Sequence, residues 1–130
     1  MTERGSLDRR SLGVEWVIDA EDCSPSALRD VSKIEGAIDH IVRALSLHPV
    51  EAPLVHRFPG EGGITALVLL AESHLTMHTF PELGAATLNV YCCRPRSPLD
   101  WPAVLASFFG ASRVEVRSLT RGRSSGAKPP

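Results

Sequence analysis

No stretch of this chain is apolar for anything near the ~20 residues a membrane-spanning helix needs, and neither charge sign is in real excess. Its 14 Lys and Arg face 15 Asp and Glu, a formal net charge of −1. That balance excludes the basic surface expected of a nucleic-acid or anionic-membrane partner. Residues 1–10 are polar and mixed in charge, without the apolar segment of a signal peptide. They are expected to be a flexible leader, and a cytoplasmic location follows as the default. Cysteine is scarce: the three, Cys23, Cys92 and Cys93, form an odd set without metal-ligand spacing. A disulfide framework is not expected in a reducing compartment. Adjacent residues of a strand point to opposite faces, so Cys92 and Cys93 cannot both serve one site. One thiol is left for chemistry and the others as small apolar fillers. No Gly-x-Ser-x-Gly elbow and no solenoid-type repeat occur.

What is present fits one domain with one core: 130 residues, 43% hydrophobic and 22% charged. Residues 11–20 place Val14, Trp16 and Ile18 on one face, a first strand. Ser24-Pro25 is an N-cap followed by proline at the first helical position. From there Ala27, Val31, Ile34, Ile38, Ile41 and Leu45 recur at spacings of 4, 3, 4, 3 and 4, the apolar stripe of a single amphipathic helix ended by Pro49.

Residues 50–58 read as a strand edged by Pro53, and residues 59–63 as a Gly-rich link. The apolar run 64–71 reads as a buried central strand, followed by a strand over 74–79 and a turn through Pro81-Glu82-Leu83-Gly84. In the strand 85–93, Ala86, Leu88, Val90 and Cys92 share one face and Thr87, Asn89, Tyr91 and Cys93 the other. Asp100 caps a second helix over 101–109 with Val104, Leu105 and Phe108 inward, stopped by Gly110. Residues 113–119 form a last strand, and residues 120–130 are expected to be a disordered tail. The order β-α-β-β-β-β-α-β predicts an α+β two-layer sandwich, a mainly antiparallel sheet with two helices on one face.

Almost all polar residues with plausible chemistry lie at 71–84. Ser73 or Ser97 could be a hydrolase nucleophile. A metal shared by His74 and His78 is disfavoured, because i and i+4 on a strand lie ~13 Å apart. Cys93 could be a nucleophile with a histidine base. His74 and His78 could equally be ordinary pleat residues. Spacing alone leaves these readings open.

The segment Glu72-Ser73-His74-Leu75-Thr76-Met77-His78-Thr79-Phe80-Pro81-Glu82 resembles the self-processing segment of prokaryotic S-adenosylmethionine decarboxylases. The family pattern there is Glu-Ser-His, Leu, Ser or Thr, an aliphatic residue, His-Thr-Trp-Pro-Glu, an aromatic residue and Gly. The resemblance runs from about residue 12 to residue 119 and includes His56-Arg57-Phe58 and Cys93. It implies a pyruvoyl enzyme with no added cofactor and no metal. Ser73 would attack the carbonyl of Glu72, and elimination would leave one chain ending at Glu72 and another beginning with a pyruvoyl group made from Ser73. Thr65 stands where the family has a serine that assists this step. His78 matches the histidine that takes the Ser73 α proton. The pyruvoyl ketone would then form a Schiff base with the substrate and act as its electron sink, with Cys93 as proton donor. Phe58 and Phe80 would flank the adenine or sulfonium of S-adenosylmethionine, and Glu82 would hold its ribose hydroxyls. The product supplies aminopropyl groups for polyamine synthesis. A homodimer of processed protomers, sheet against sheet, is the expected assembly.

Phe80 departs from the usual Trp, Leu83 from the usual aromatic residue and Asn89 from a common Asp. The link before Ile64 carries an extra acid, Glu61. Two alternatives follow: a pyruvoyl decarboxylase of ornithine or arginine, with Glu61 facing the distal cation, or an unprocessed paralogue serving as a binding or regulatory subunit.

Overall fold

The computed structural model describes residues 11–94 and 96–122; the expected leader at 1–10, residues 123–130 of the expected tail and Pro95 lie outside the described residues. The elements are β1 (Ser11–Glu21), α1 (Pro25–Leu28), α2 (Val31–Ala44), β2 (Leu54–Arg57), β3 (Ile64–Leu69), β4 (Ser73–Phe80), a 3-10 turn (Pro81–Leu83), β5 (Ala85–Cys92), α3 (Trp101–Phe109) and β6 (Arg113–Gly122). The six strands form one antiparallel sheet in the order β2-β3-β4-β5-β1-β6. No helix among the described residues is long and apolar enough to cross a membrane.

Alternation fixes the two faces of the sheet. Trp16, Ile18 and Ala20 of β1, Ile64, Ala66 and Val68 of β3, Leu75 and Met77 of β4, and Ala86, Leu88, Val90 and Cys92 of β5 are buried in one cluster with the helices. The helices contribute Ala27 and Leu28, then Ile34, Ala37, Ile38 and Ile41, then Trp101, Val104, Leu105 and Phe109. Among the described residues, no layer covers the opposite face. Across it run the rows His56-Thr65-His78-Thr87-Asp19-Glu115 and Leu54-Leu67-Thr76-Asn89-Val17-Arg117. Leu54 and Leu69 are 72% and 60% exposed there.

The structure differs from the sequence reading by a residue or two at the ends of β3 (Ile64–Leu69), β4 (Ser73–Phe80) and β5 (Ala85–Cys92), and more substantially as follows. The expected single helix over 24–45 is two. Arg29 ends α1, and extended Asp30 caps α2 by accepting the Ser32 N–H at 2.9 Å. The apolar stripe passes through the break because both pieces face the same core. The second strand is only Leu54–Arg57. In α3 it is Phe109 that is fully buried, whereas Phe108 is half-buried beside Gly36 and the His40 ring. Thr120, Arg121 and Gly122, expected in the tail, belong to β6, where Val14 pairs with Thr120 and Gly13 with Arg121.

One buried polar side chain ties the layers together. Thr79, 4% exposed, accepts the Ile64 N–H at 2.9 Å and donates to the Leu28 carbonyl at 2.8 Å, joining β3, β4 and α1. Thr79→Val keeps the shape and strands both partners. Each buried group left unsatisfied costs about 1–3 kcal/mol, so a loss of roughly 2–4 kcal/mol is expected. Urea unfolding should show a lower midpoint at unchanged slope.

Candidate functional site

β3 and β4 are joined by the tight turn Leu70-Ala71-Glu72-Ser73, closed by the Leu70 N–H on the Ser73 carbonyl at 3.0 Å. The Glu72–Ser73 peptide is therefore the junction between turn and strand. Ser73 is half-buried and pairs with Cys92 across the ladder. Its hydroxyl has no hydrogen-bond partner among the described residues. One step further out, the Cys93 N–H donates to the Glu72 carbonyl at 3.2 Å. A donor on that oxygen is what an attack on the Glu72 carbonyl carbon needs, because negative charge develops there.

The Glu72 side chain is anchored as well. It accepts the His48 N–H at 3.0 Å, meets the His48 ring through Nδ1, and pairs with Arg96 at 3.2 Å. Burial acts to raise its pKa, but the His48 ring, the backbone N–H groups and the His48 charge outweigh it, and the carboxyl is held below its ordinary value of 4.5. His48 reaches this position through backbone pairing: its carbonyl accepts the Ala71 N–H at 2.8 Å, and the next residue, Pro49, bridges Leu70. Around these groups lies a cavity of about 500 Å³ lined by Ser46, His48, Ala71, Glu72, Cys93, Arg94 and Arg96. His48 and Arg96 were not identified in the sequence. They carry no motif, and His48 comes to Glu72 only through strand register.

The two thiols differ as the alternation predicts. Cys92 is fully buried, and burial pushes its pKa up to about 11 against the pull of Arg96, so it remains a neutral thiol near pH 7. Cys93 is half-buried and lines the cavity.

The remaining expected site residues lie at the other end of the sheet. Thr65 and His78 face each other on the uncovered side, with Thr65 Oγ1 3.1 Å from His78 Nδ1. Phe58, 49% exposed, stacks edge-on against His56 with centroids 4.4 Å apart, and Phe80 is 38% exposed. Between β2 and β4 sits Gly63, where a Cβ would come within 2.8 Å of the Thr79 carbonyl oxygen. Glu82 and Leu83 are exposed in the 3-10 turn. Ser73 and His78 are five residues apart on one strand, hence ~17 Å apart and on opposite faces. The expectation that His78 takes the Ser73 α proton is therefore not met within a single chain: the structure gathers Ser73, Glu72 and Cys93 at one end and Thr65, His78, Phe58, Phe80 and Glu82 at the other.

Two further residues find partners. Glu61 is engaged by Arg29, which donates Nε to its carbonyl at 3.0 Å and lies 3.7 Å from its carboxylate. The Glu61 carboxylate itself remains 65% exposed. His74 lies 3.2 Å from the Asn89 side-chain oxygen, and Asn89 in turn donates to Glu15, which also pairs with Arg121 at 2.8 Å. The Asn89 amide is the main influence holding the Glu15 carboxyl below its ordinary range, with burial opposing and Arg121 adding to it.

Residues 14–122 match a family model described as S-adenosylmethionine decarboxylase. An S-adenosylmethionine decarboxylase proenzyme of Acidithiobacillus ferrooxidans is 34% identical over 118 residues, covering 88% of this chain and 85% of its own. One from Pyrococcus furiosus is 30% identical over 116 residues, 86% and 80% respectively. In fold, the chain resembles the crystal structure of the adenosylmethionine decarboxylase from Aquifex aeolicus, with a TM-score of 0.75 at 24% identity, over 93% of this chain and 99% of that one.

The lowered pKa of Glu72 has a pH signature. A depressed carboxyl contributes stability that is complete above its unfolded value, near 4.5, and is lost as pH falls through its lower folded value. In a Ser73→Ala background that keeps the chain whole, urea unfolding should show the chain more stable than its Glu72→Gln variant at pH 7. The difference should vanish under strongly acid conditions.

Proposed function

The chain belongs to the S-adenosylmethionine decarboxylase family, and from that membership we propose that it decarboxylates S-adenosylmethionine with a pyruvoyl group cut from its own backbone at Ser73. The observation that carries this reading is the turn itself: a serine with an unengaged hydroxyl follows a carbonyl already held by a backbone N–H, that of Cys93. Ser73 Oγ attacks the Glu72 carbonyl carbon, the C–N bond breaks, and an ester replaces the peptide. Removal of the Ser73 α proton expels the Glu72 carboxylate, and water takes the place of the nitrogen, which leaves as ammonia. The residues fit the group they would generate. It would sit at the strand end beside Cys93 and the cavity, and there it supplies an electron-accepting carbonyl for the loss of carbon dioxide.

Cys93, which lines the cavity, would return a proton to the substrate's α carbon; Cys92, buried and neutral, would not. Phe58 and Phe80 offer exposed aromatic faces to the adenine or sulfonium, and Glu82 offers acceptors for the ribose hydroxyls. Decarboxylation of this substrate supplies aminopropyl groups for polyamine synthesis, in the cytoplasm.

The site is completed by a second copy. With Thr65 and His78 ~17 Å from the Ser73 of their own chain, their partner in proton transfer is the Ser73 of another protomer. Antiparallel packing of two uncovered faces would bring the far end of one sheet to the Cys93 side of the other's cut end; the Ser73 side chain alternates to the covered side, so the partner would reach the Ser73 backbone at the turn rather than its hydroxyl. It also covers Leu54 and Leu69, which are largely exposed in one chain.

Denaturing mass spectrometry should find two fragments divided after Glu72, and Ser73→Ala should give a single intact chain; normal fragments from that variant would refute the cofactor assignment. The processed protein should release carbon dioxide from S-adenosylmethionine and not from ornithine or arginine. Cys93→Ala should leave cleavage largely intact while slowing turnover, and Cys92→Ala should be mild.

A complementation test addresses the composite site. His78→Ala and Ser73→Ala chains, each unprocessed alone, should yield cleaved His78→Ala chain when co-expressed. No cleavage in the verified mixed dimer would count against transfer between protomers.

A further inference from the structure

We propose that His48 and Arg96 act as a clamp on the Glu72 side chain that positions the Glu72–Ser73 peptide for self-cleavage, so that both are positioning residues for processing. The inference rests on the self-processing reading above and adds to it two residues outside the Glu72–Glu82 motif.

Glu72 is fixed from two directions. Its carboxylate takes the His48 N–H at 3.0 Å on one oxygen, and the His48 ring and the Arg96 guanidinium, the latter at 3.2 Å, on the other. Its side chain is only 9% exposed and that of Arg96 18%, so this pair is poorly screened, whereas the His48 ring is 74% exposed. Its main-chain carbonyl is held separately by the Cys93 N–H at 3.2 Å, and the preceding residue is tied to the His48 carbonyl at 2.8 Å. With side chain and carbonyl both pinned, rotation of the Glu72 carbonyl about the turn is blocked. The unengaged group beside the bond is the Ser73 hydroxyl.

An intramolecular attack gains its rate from such prior orientation, and a displacement of about 1 Å can cost ~100-fold. A carboxylate with a strongly interacting arginine is also a costly choice for an exposed turn that needed only solubility. The same contacts also stabilise the fold, so positioning is read from the cleavage rate of chains verified as folded and from the Arg96→Lys rescue; the path of the turn itself is closed by the Leu70–Ser73 and Ala71–His48 backbone bonds.

The test follows cleavage of freshly translated full-length chain over time by gel and mass spectrometry, for wild type, Glu72→Gln, Arg96→Met and Arg96→Lys, with circular dichroism to verify folding. Glu72→Gln and Arg96→Met should fold yet cleave on the order of 10–100 times more slowly, and Arg96→Lys, which keeps the charge, should recover much of the rate. The uncleaved variant chains should resist hydroxylamine, which splits esters, because the clamp acts before the ester forms. Folded Glu72→Gln and Arg96→Met chains that cleave at the wild-type rate would overturn the clamp, as would a hydroxylamine-sensitive ester accumulating at Glu72. If a variant fails to fold, Arg96→Lys decides: a folded Lys variant as slow as Met removes the role assigned to the charge. An absence of cleavage in the wild-type chain overturns the self-processing reading, and the clamp with it.

Discussion

The register of β4 between β3 and β5 is the constraint on which the rest depends. It sets Thr65 against His78 on one edge of the strand and Ser73 against Cys92 on the other. Because side chains alternate with a period of two, a slip of one residue would turn Leu75 and Met77 out of the core and bring His74 and His78 into it. The apolar cost of that exchange is what holds the chemistry in place. The tight turn at Leu70–Ser73 and the buried Thr79 fix the strand at its two ends, so the Glu72–Ser73 peptide and His78 are located by the same packing that builds the core.

Chemistry and packing divide along the two faces of the sheet. The covered face is continuous hydrocarbon, while the uncovered face mixes leucines with a polar network running from His74 through Asn89 and Glu15 to Arg121. Charges on that face are paired within the chain: Arg117 with Asp19 at 2.9 Å, Arg121 with Glu15 at 2.8 Å. Such a surface can be covered by another like it without leaving unpaired charge inside the contact, which is the usual obstacle to burying polar groups.

Much of this was legible in the sequence, and the exceptions have physical causes. Alternation located β1, β3, β4 and β5 because each packs one face on a core, and it placed Cys92 inside and Cys93 outside. The break at Asp30 was hidden because the apolar stripe, with Ala27 before it and Val31 after it, keeps its spacing across the capping aspartate. Phe108 and Phe109 both fall near the period of 3.6, and only the packing of α3 chooses between them. Thr120 to Gly122 have no pattern of their own and are strand because β1 offers them a partner. The motif pointed to Ser73, and the odd spacing of Ser73 and His78 on one strand already implied that His78 points away from it, although the motif's implied roles put the two together. His48 and Arg96 lie outside any motif, and only the fold brings them to Glu72.

The strand order gives the cut a topological meaning. A break between Glu72 and Ser73 assigns β1, β2 and β3 to one piece and β4, β5 and β6 to the other. In the sheet these interleave: β3 borders β4, and β1 lies between β5 and β6. The two pieces are thus laced along three ladders and share one core, and neither retains a complete layer. The proposed cut lies in the turn and breaks none of these ladders, but it would change the route back. An intact chain that unfolds can refold alone, whereas separated pieces must first meet, which makes recovery a matter of concentration. The proposed scission would therefore work as a one-way gate: the chain would have one opportunity to fold as a single thread, and the reacted protein would carry the record of having taken it.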